Sequence, residues 1–378
     1  MRLIIEPVDG VAPLLAAIKR ARKSVEIAIF RFDRKDLETA LTAAAARGVR
    51  VTALIAFANR GGERSLRQIE LRFLAAGIIV ARTADDLTRY HGKYILIDRR
   101  VLYVLSFNFT RLDIDRSRGF GIVTSRPHCL QEAARLFEAD CTRTEYAPKV
   151  ETFVVSPVNS RQVLSTFLKQ AKTQLLIYDP RISDRQMLGI LHERAKAGVE
   201  IKVIGQVSGQ SSFEVRKLAG IRLHTRTIIR DHRQAFVGSQ SLRAAELDSR
   251  REVGVIVPYP KAVKKLVDTF EADWAKASSR RVPISPDVEV APIEQPTPAT
   301  ASAEDVAKAV EVFTKELQPL AATVKEAVRQ AVVTAGDDVL HDKDVKETMK
   351  DVVKQAVKEA VKDAVHDAQD GQQAVSPR

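Results

Sequence analysis

Tyr90-His91-Gly92-Lys93-Tyr94-Ile95-Leu96-Ile97-Asp98 is followed by the apolar run Val101–Leu105 and then by Ser106-Phe107-Asn108. Side chains alternate between the faces of a strand, so a strand over residues 92–97 sets His91 and Lys93 on one side. The same rule sets Ser106 and Asn108 together on the next strand. An imidazole, an ammonium, a hydroxyl and an amide that converge form a donor set suited to a phosphate oxyanion. A second stretch has the same rhythm. It reads Leu223-His224-Thr225-Arg226-Thr227-Ile228-Ile229-Arg230-Asp231, then Gly238-Ser239-Gln240-Ser241, then Arg251-Glu252-Val253-Gly254.

The two stretches belong to a longer repeat. Residues 16–22 align with 166–172 at an offset of 150, and Gly48-Val49-Arg50-Val51 aligns with Gly198-Val199-Glu200-Ile201 at the same offset. From the His motif onward the offset is 133: His91 aligns with His224, Asp98 with Asp231, Ser106 with Ser239, and Phe137-Glu138-Ala139-Asp140 with Phe270-Glu271-Ala272-Asp273. The first copy therefore carries 17 more residues ahead of its His motif. Copies of this length read as a duplicated domain rather than a solenoid, with halves at 1–148 and 149–282. Within each half, helical and β-rich segments alternate. Helices are expected at 13–23 and 37–47, with strands at 25–30 and 49–57. The second half repeats them as helices near 162–172 and 186–197 and strands at 175–178 and 199–204. Gly48 and Gly198 stand at helix stops. The expected class is α/β, with each half a mixed sheet flanked by helices.

His-x-Lys-x4-Asp followed by Gly-Ser-x-Asn is the signature of the phospholipase D superfamily, and both halves resemble it. The first matches at His91, Lys93, Asp98, Ser106 and Asn108 and departs at Leu105, where Gly is usual. The second matches at His224, Asp231, Gly238 and Ser239 and departs at Arg226 for Lys and Ser241 for Asn. The resemblance covers about residues 1–280. It implies one active site shared by the halves. His91 would be the nucleophile that forms a phosphohistidine, and His224 would be general acid and then base, with the reverse assignment open by symmetry. Lys93 and Arg226 would hold the nonbridging oxygens, with Ser106, Asn108, Ser239 and Ser241 as further phosphate ligands. Asp98 and Asp231 would orient the imidazoles, or else simply initiate turns. Glu252 stands where the first half has Gly119. It would position the second His or pair with an arginine. The resemblance implies no cofactor, and no metal-ligand cluster stands out in the sequence.

Composition narrows the substrate without choosing it. The chain has 378 residues and a net charge of +12. Residues 283–378 hold 11 Lys/Arg against 18 Asp/Glu, which leaves 49 against 30 in residues 1–282, a body of +19. Such a body favours polyanionic partners. Cys129 and Cys141 form no disulfide or metal framework. No signal peptide and no membrane span are expected, so the expected location is cytoplasmic, at most peripheral to a membrane. The preferred substrate is a phospholipid, through phospholipase D or cardiolipin-synthase-like phosphatidyltransferase chemistry. A nuclease and a catalytically silent phosphate-binding protein are the alternatives. Residues 60–65 contain Gly61 and Gly62 but lack a phosphate-loop ending, although the helix after them could favour an anion. Residues 283–303 are Pro-rich and read as a linker. Residues 304–370 have amphipathic periodicity with small Ala and Val faces, an expected helical tail for oligomerisation or a protein partner.

Overall fold

Tyr94–Ile97 and Val101–Leu105 are almost wholly buried, and Ser117–Thr124 is buried along its full length. Strands with both faces covered are central and mostly apolar, and Arg118 is the one charged residue in these segments. They lie in the first of two large sheets. The computed structural model describes residues 1–57 and 63–277. The first sheet runs Arg2–Glu6, Ser117–Thr124, Val101–Leu105, Tyr94–Ile97, Ser24–Ile29, Arg50–Ile55, Ile79–Arg82. The second runs Phe153–Val155, Val253–Val257, Gln234–Gly238, Arg226–Arg230, Gln174–Ile182, Glu200–Val207, Glu214–Arg216. Strand for strand the order is the same. In each, two parallel crossovers at one edge join an antiparallel meander at the other. The fold is α/β with two homologous halves, as the repeat requires.

The helices start and stop for local reasons. Ala12–Arg20 carries Pro13 in its first turn, where a missing N–H costs nothing, and Lys19 and Arg20 in its last. Lys35–Ala46 opens on Asp36 and Glu38. Gly48 and Gly198 follow the paired helices at φ +83° and +86°, a conformation that a Cβ disfavours. Arg185–Lys196 is capped by the Asp184 carboxylate, which accepts from the Met187 N–H. Each element lies within a few residues of its expected bounds.

Each half buries an outer apolar cluster of its own, around Leu14, Leu41 and Ile95 in the first and Leu164, Leu191 and Phe236 in the second. A third cluster belongs to both. Tyr94, Leu102, Phe120 and Phe137 pack with Tyr178, Val237, Phe270 and Trp274. Phe120 meets Tyr178 edge-on at 5.5 Å, and Tyr178 meets Phe270 at 4.9 Å. The described residues accordingly form one compact unit. Gly61 and Gly62, the end of the second half at 282, the linker at 283–303 and the helical tail at 304–370 lie outside the described residues.

Short strands stitch the halves across the repeat. Arg222–Leu223 runs parallel to the start of Ser117–Thr124, with Arg222 opposite Ser117. Arg250–Arg251 runs parallel to Arg89–Tyr90, with Arg250 opposite Arg89. At an offset of 133 these two pairings are the same contact made twice. Two buried ion pairs repeat it. Arg118 donates to the Asp273 carboxylate at 2.7 and 2.8 Å, and Arg251 donates to Asp140 at 3.1 Å.

Candidate active site

His91 and His224 each lead into a central strand from the coil beside a cross-repeat pairing. The strands begin at Tyr94 and Arg226, so His91 and Lys93 precede the strand on which they were expected. Ser106 and Asn108 likewise follow the end of Val101–Leu105 rather than lie within a strand. Backbone bonds hold this coil in place: the His91 N–H donates to the Arg251 carbonyl at 2.7 Å, and the Leu105 N–H to the Lys93 carbonyl at 2.9 Å. Lys93 Nζ donates to the His91 carbonyl at 2.5 Å, and Arg226 Nη1 donates to the His224 carbonyl at 2.7 Å. Both cations therefore curl over their own histidine's backbone in the same way.

The groups that hold each imidazole come from the opposite half. Glu252, in the second half, lies with Oε2 2.8 Å from Nδ1 of His91. That corrects the expectation that Glu252 would position the second histidine or pair with an arginine. Asp113, in the first half, lies with Oδ2 3.0 Å from Nε2 of His224. Asn108 Nδ2 is 3.5 Å from the same nitrogen and donates to Asp113 at 2.6 Å. That bond orients the amide and leaves Asn108 Oδ1 buried without a partner. Arg222 donates to Asp113 at 2.6 Å and to Nδ1 of His224 at 2.8 Å. The sequence reading singled out neither Asp113 nor Arg222. The offset of 133 could have flagged Asp113, because it maps onto Glu246, another acid five residues past the motif's last position.

The site is dry. Lys93, Ser106, Ser239 and Glu252 are fully buried, and His91 and His224 are 7% and 8% exposed. Burial, then the nearby Lys93 and Arg226 charges, push the His91 pKa well below that of free imidazole. Burial also pulls the Lys93 pKa well down, against the opposing pull of Glu252. Burial raises the Glu252 carboxyl, again opposed by Lys93. His224 is pushed down to about 4, by burial first; Asp113 opposes the shift, and Arg226 and Arg222 add to it. At neutral pH both imidazoles are thus neutral. The proton on His91 faces Glu252, and Nε2 of His91 has no hydrogen-bond partner among the described residues.

Asp98 and Asp231 lie elsewhere, which corrects their expected role at the imidazoles. Asp98 accepts from the backbone N–H groups of Arg22, Lys23 and Ser24 at 2.6–3.1 Å. Asp231 does the same for Lys172, Thr173 and Gln174. Both sit at left-handed turns, φ 53° and 51°, where Asp is tolerated because its carboxylate bonds locally. Each ties the end of the first motif strand to the start of its neighbour. Ser106 Oγ accepts from the Phe120 N–H at 2.9 Å, and Ser239 Oγ accepts from the Val253 N–H at 3.1 Å. These hydroxyls brace the site's walls.

The departures from the motif are compensated. Leu105, where Gly is usual, has Gly121 as its cross-strand partner, and a Cβ there would come 2.8 Å from Leu105. Arg226 and Ser241, the two departures in the second half, touch: Arg226 Nε donates to Ser241 Oγ at 3.2 Å. The longer cation occupies room that a larger amide would need. Among the described residues no group of three or more His, Cys, Asp or Glu side chains could hold a metal ion.

Residues 14–141 and 164–274 each match the family described as cardiolipin synthase, PLD-like domain. The mitochondrial cardiolipin hydrolase of Canis lupus familiaris is 29% identical over 147 residues, 38% of this chain and 55% of that protein. The chain thus spans about half the length of this relative. Among solved structures, the polyphosphate kinase from Porphyromonas gingivalis superposes with a TM-score of 0.61 at 20% identity, over 72% of this chain and 47% of that one. The phosphatidylserine synthase of Haemophilus influenzae Rd KW20 superposes at 0.57 with 10% identity, over 74% and 87%. At these identities the likeness is of fold.

Proposed function

Because the chain belongs to the phospholipase D-like, cardiolipin synthase-type family, we propose that it is a metal-independent phosphodiesterase that works through a phosphohistidine on His91. The observation that carries this reading is the 2.8 Å contact of Glu252 with Nδ1 of His91, made across the repeat. A carboxylate that accepts the hydrogen bond from Nδ1–H leaves the Nε2 lone pair facing the site, the arrangement a nucleophile needs. Nε2 attacks phosphorus, the bond from phosphorus to the leaving oxygen breaks, and His224 as imidazolium supplies the proton to that oxygen. His224 then takes a proton from water or an alcohol as it attacks, which breaks the P–N bond and restores His91. Lys93 and Arg226 neutralise the nonbridging oxygens as charge builds in a site where water is scarce.

A phospholipid is the favoured substrate, with hydrolysis or phosphatidyl transfer as the outcome. The family's description and the cardiolipin hydrolase relative support that choice. Peripheral contact with a membrane fits the absence of any helix among the described residues long and apolar enough to cross one. The basic body favours nucleic acid as the second reading. The direct test is hydrolysis of bis(p-nitrophenyl) phosphate in the presence of a chelator. Wild type should turn over, and His91→Ala should lose about 10²–10⁴-fold on this ester, as should His224→Ala on a short-chain phosphatidylcholine, whose alkoxide leaves with a proton. Activity that persists without either histidine would sink the mechanism.

A further inference from the structure

The two histidines are not held alike, although the repeat that carries them is. Glu252 serves Nδ1 of His91, and its equivalent at an offset of 133 is Gly119. A side chain could not simply be restored there, because a Cβ on Gly119 would lie 2.8 Å from the fully buried Phe107 ring. The nitrogen that would have met such a carboxylate, Nδ1 of His224, instead meets Arg222 Nη2 at 2.8 Å. A guanidinium has donors only, so Nδ1 accepts and carries no hydrogen. Nε2 lies 3.0 Å from Asp113, whose carboxyl is held far below its usual range by His224, Arg222 and the Asn108 N–H, against burial. An ionised carboxylate only accepts, so Nε2 carries the hydrogen.

We propose that Arg222, with Asp113 opposite it, is a positioning residue that parks His224 in the Nε2–H tautomer, off the proton cycle of the reaction. The inference rests on the two-histidine reading above. With Nε2 as the nitrogen that gives and takes the proton, His224 alternates between imidazolium and the neutral ring with its hydrogen on Nδ1, so Nδ1 keeps a hydrogen throughout. Arg222 offers that hydrogen no acceptor and adds a like charge beside it. Loss of the Nε2 hydrogen from the parked ring would leave an imidazolate, so the parked ring is not an acid. Arg226 and His91 also face His224; Arg226 has donors only, and Nδ1 of His91 is turned to Glu252. Arg222 thereby sets which leaving groups the enzyme handles. An aryl oxide departs without a proton, whereas an alkoxide needs one. Arg222 is 40% exposed on its side chain, against 10% for His224 and 4% for Asp113, so it is the member of the three that a solute can reach.

The test uses the full chain labelled with ¹⁵N-histidine, with the His224 signal assigned by its loss in His224→Gln. Wild type should show the Nε2–H pattern at neutral pH. In Arg222→Gln the amide oxygen can accept from Nδ1, so the pattern should move toward Nδ1–H and the His224 titration should rise by about one pH unit or more. For kcat/KM, a short-chain phosphatidylcholine, which releases choline, should gain about tenfold in Arg222→Gln, the factor that corresponds to one unit of proton affinity. Bis(p-nitrophenyl) phosphate should change little. Arg222→Lys, which keeps a donor only, should behave as wild type in both. A wild-type Nδ1–H pattern would overturn the proposal, and so would equal losses on both substrates in Arg222→Gln, the mark of a merely structural role. If wild type hydrolyses neither ester, the phosphodiesterase reading fails, while the nitrogen spectra still decide the tautomer.

Discussion

Glu252 and Glu6 show two ways a buried carboxyl is used at the scale of a single residue. Glu252 orients a ring. Glu252→Gln keeps its size but can present an N–H to Nδ1 and so favour the wrong His91 tautomer; kcat/KM should fall about 10²–10⁴-fold while circular dichroism stays unchanged. Glu6 lies opposite Gly119 on the neighbouring strand, fully buried, with neither carboxyl oxygen partnered. Burial raises its pKa to about 8. The folded chain therefore holds a proton there that the unfolded chain releases near pH 4.5. Between those values stability from this group falls as pH rises, by at most about 1.4 kcal/mol per pH unit. Glu6→Gln, neutral at every pH, should flatten that slope and raise the melting temperature at pH 8. An unaltered slope between pH 5 and 8 would remove Glu6 as its source.

The cross-repeat pairings matter most at the scale of the elements. The Arg118–Asp273 pair joins the first half's strand Ser117–Thr124 to the second half's helix Pro260–Lys276, and Tyr178 also donates to Asp273 at 2.7 Å. Side-chain exposure of about a tenth on each partner means that removal of one leaves a charge stranded. Asp273→Ala should cost about 3–5 kcal/mol in urea unfolding, several times the loss from an exposed pair such as Lys264–Asp268. The residues that present the histidines, Arg222–Leu223 and Arg89–Tyr90, are held by the same seam. Loss of the seam should therefore depress activity as well as stability. These pairings join segments more than a hundred residues apart, so local periodicity, which revealed the helices and strands of each half, carried no trace of them.

Charge acts at the scale of the whole molecule. The +19 body would bind a nucleic acid through many phosphates, and such binding weakens steeply between 50 and 200 mM salt. Hydrolysis of a short-chain phospholipid, held largely by apolar contact, should vary little over that range. Comparison of the two salt dependences with short-chain phosphatidylcholine and single-stranded DNA separates the favoured substrate from the alternative. The sequence by itself determined the α/β class, the duplication and the members of the site that recur at a fixed offset. A repeat is a covariance of position along the chain, and strand and helix periods are local. His91, Lys93, His224 and Arg226 were legible for that reason. Only the tertiary structure decided the partners. Glu252 crosses to His91, Asp113 and Arg222 close on His224, and Asp98 and Asp231 turn away to staple backbone. Hydrogen bonds are made by atoms within about 3 Å of one another, and which side chains come that close is set by how two similar sheets dock, not by their order in the chain.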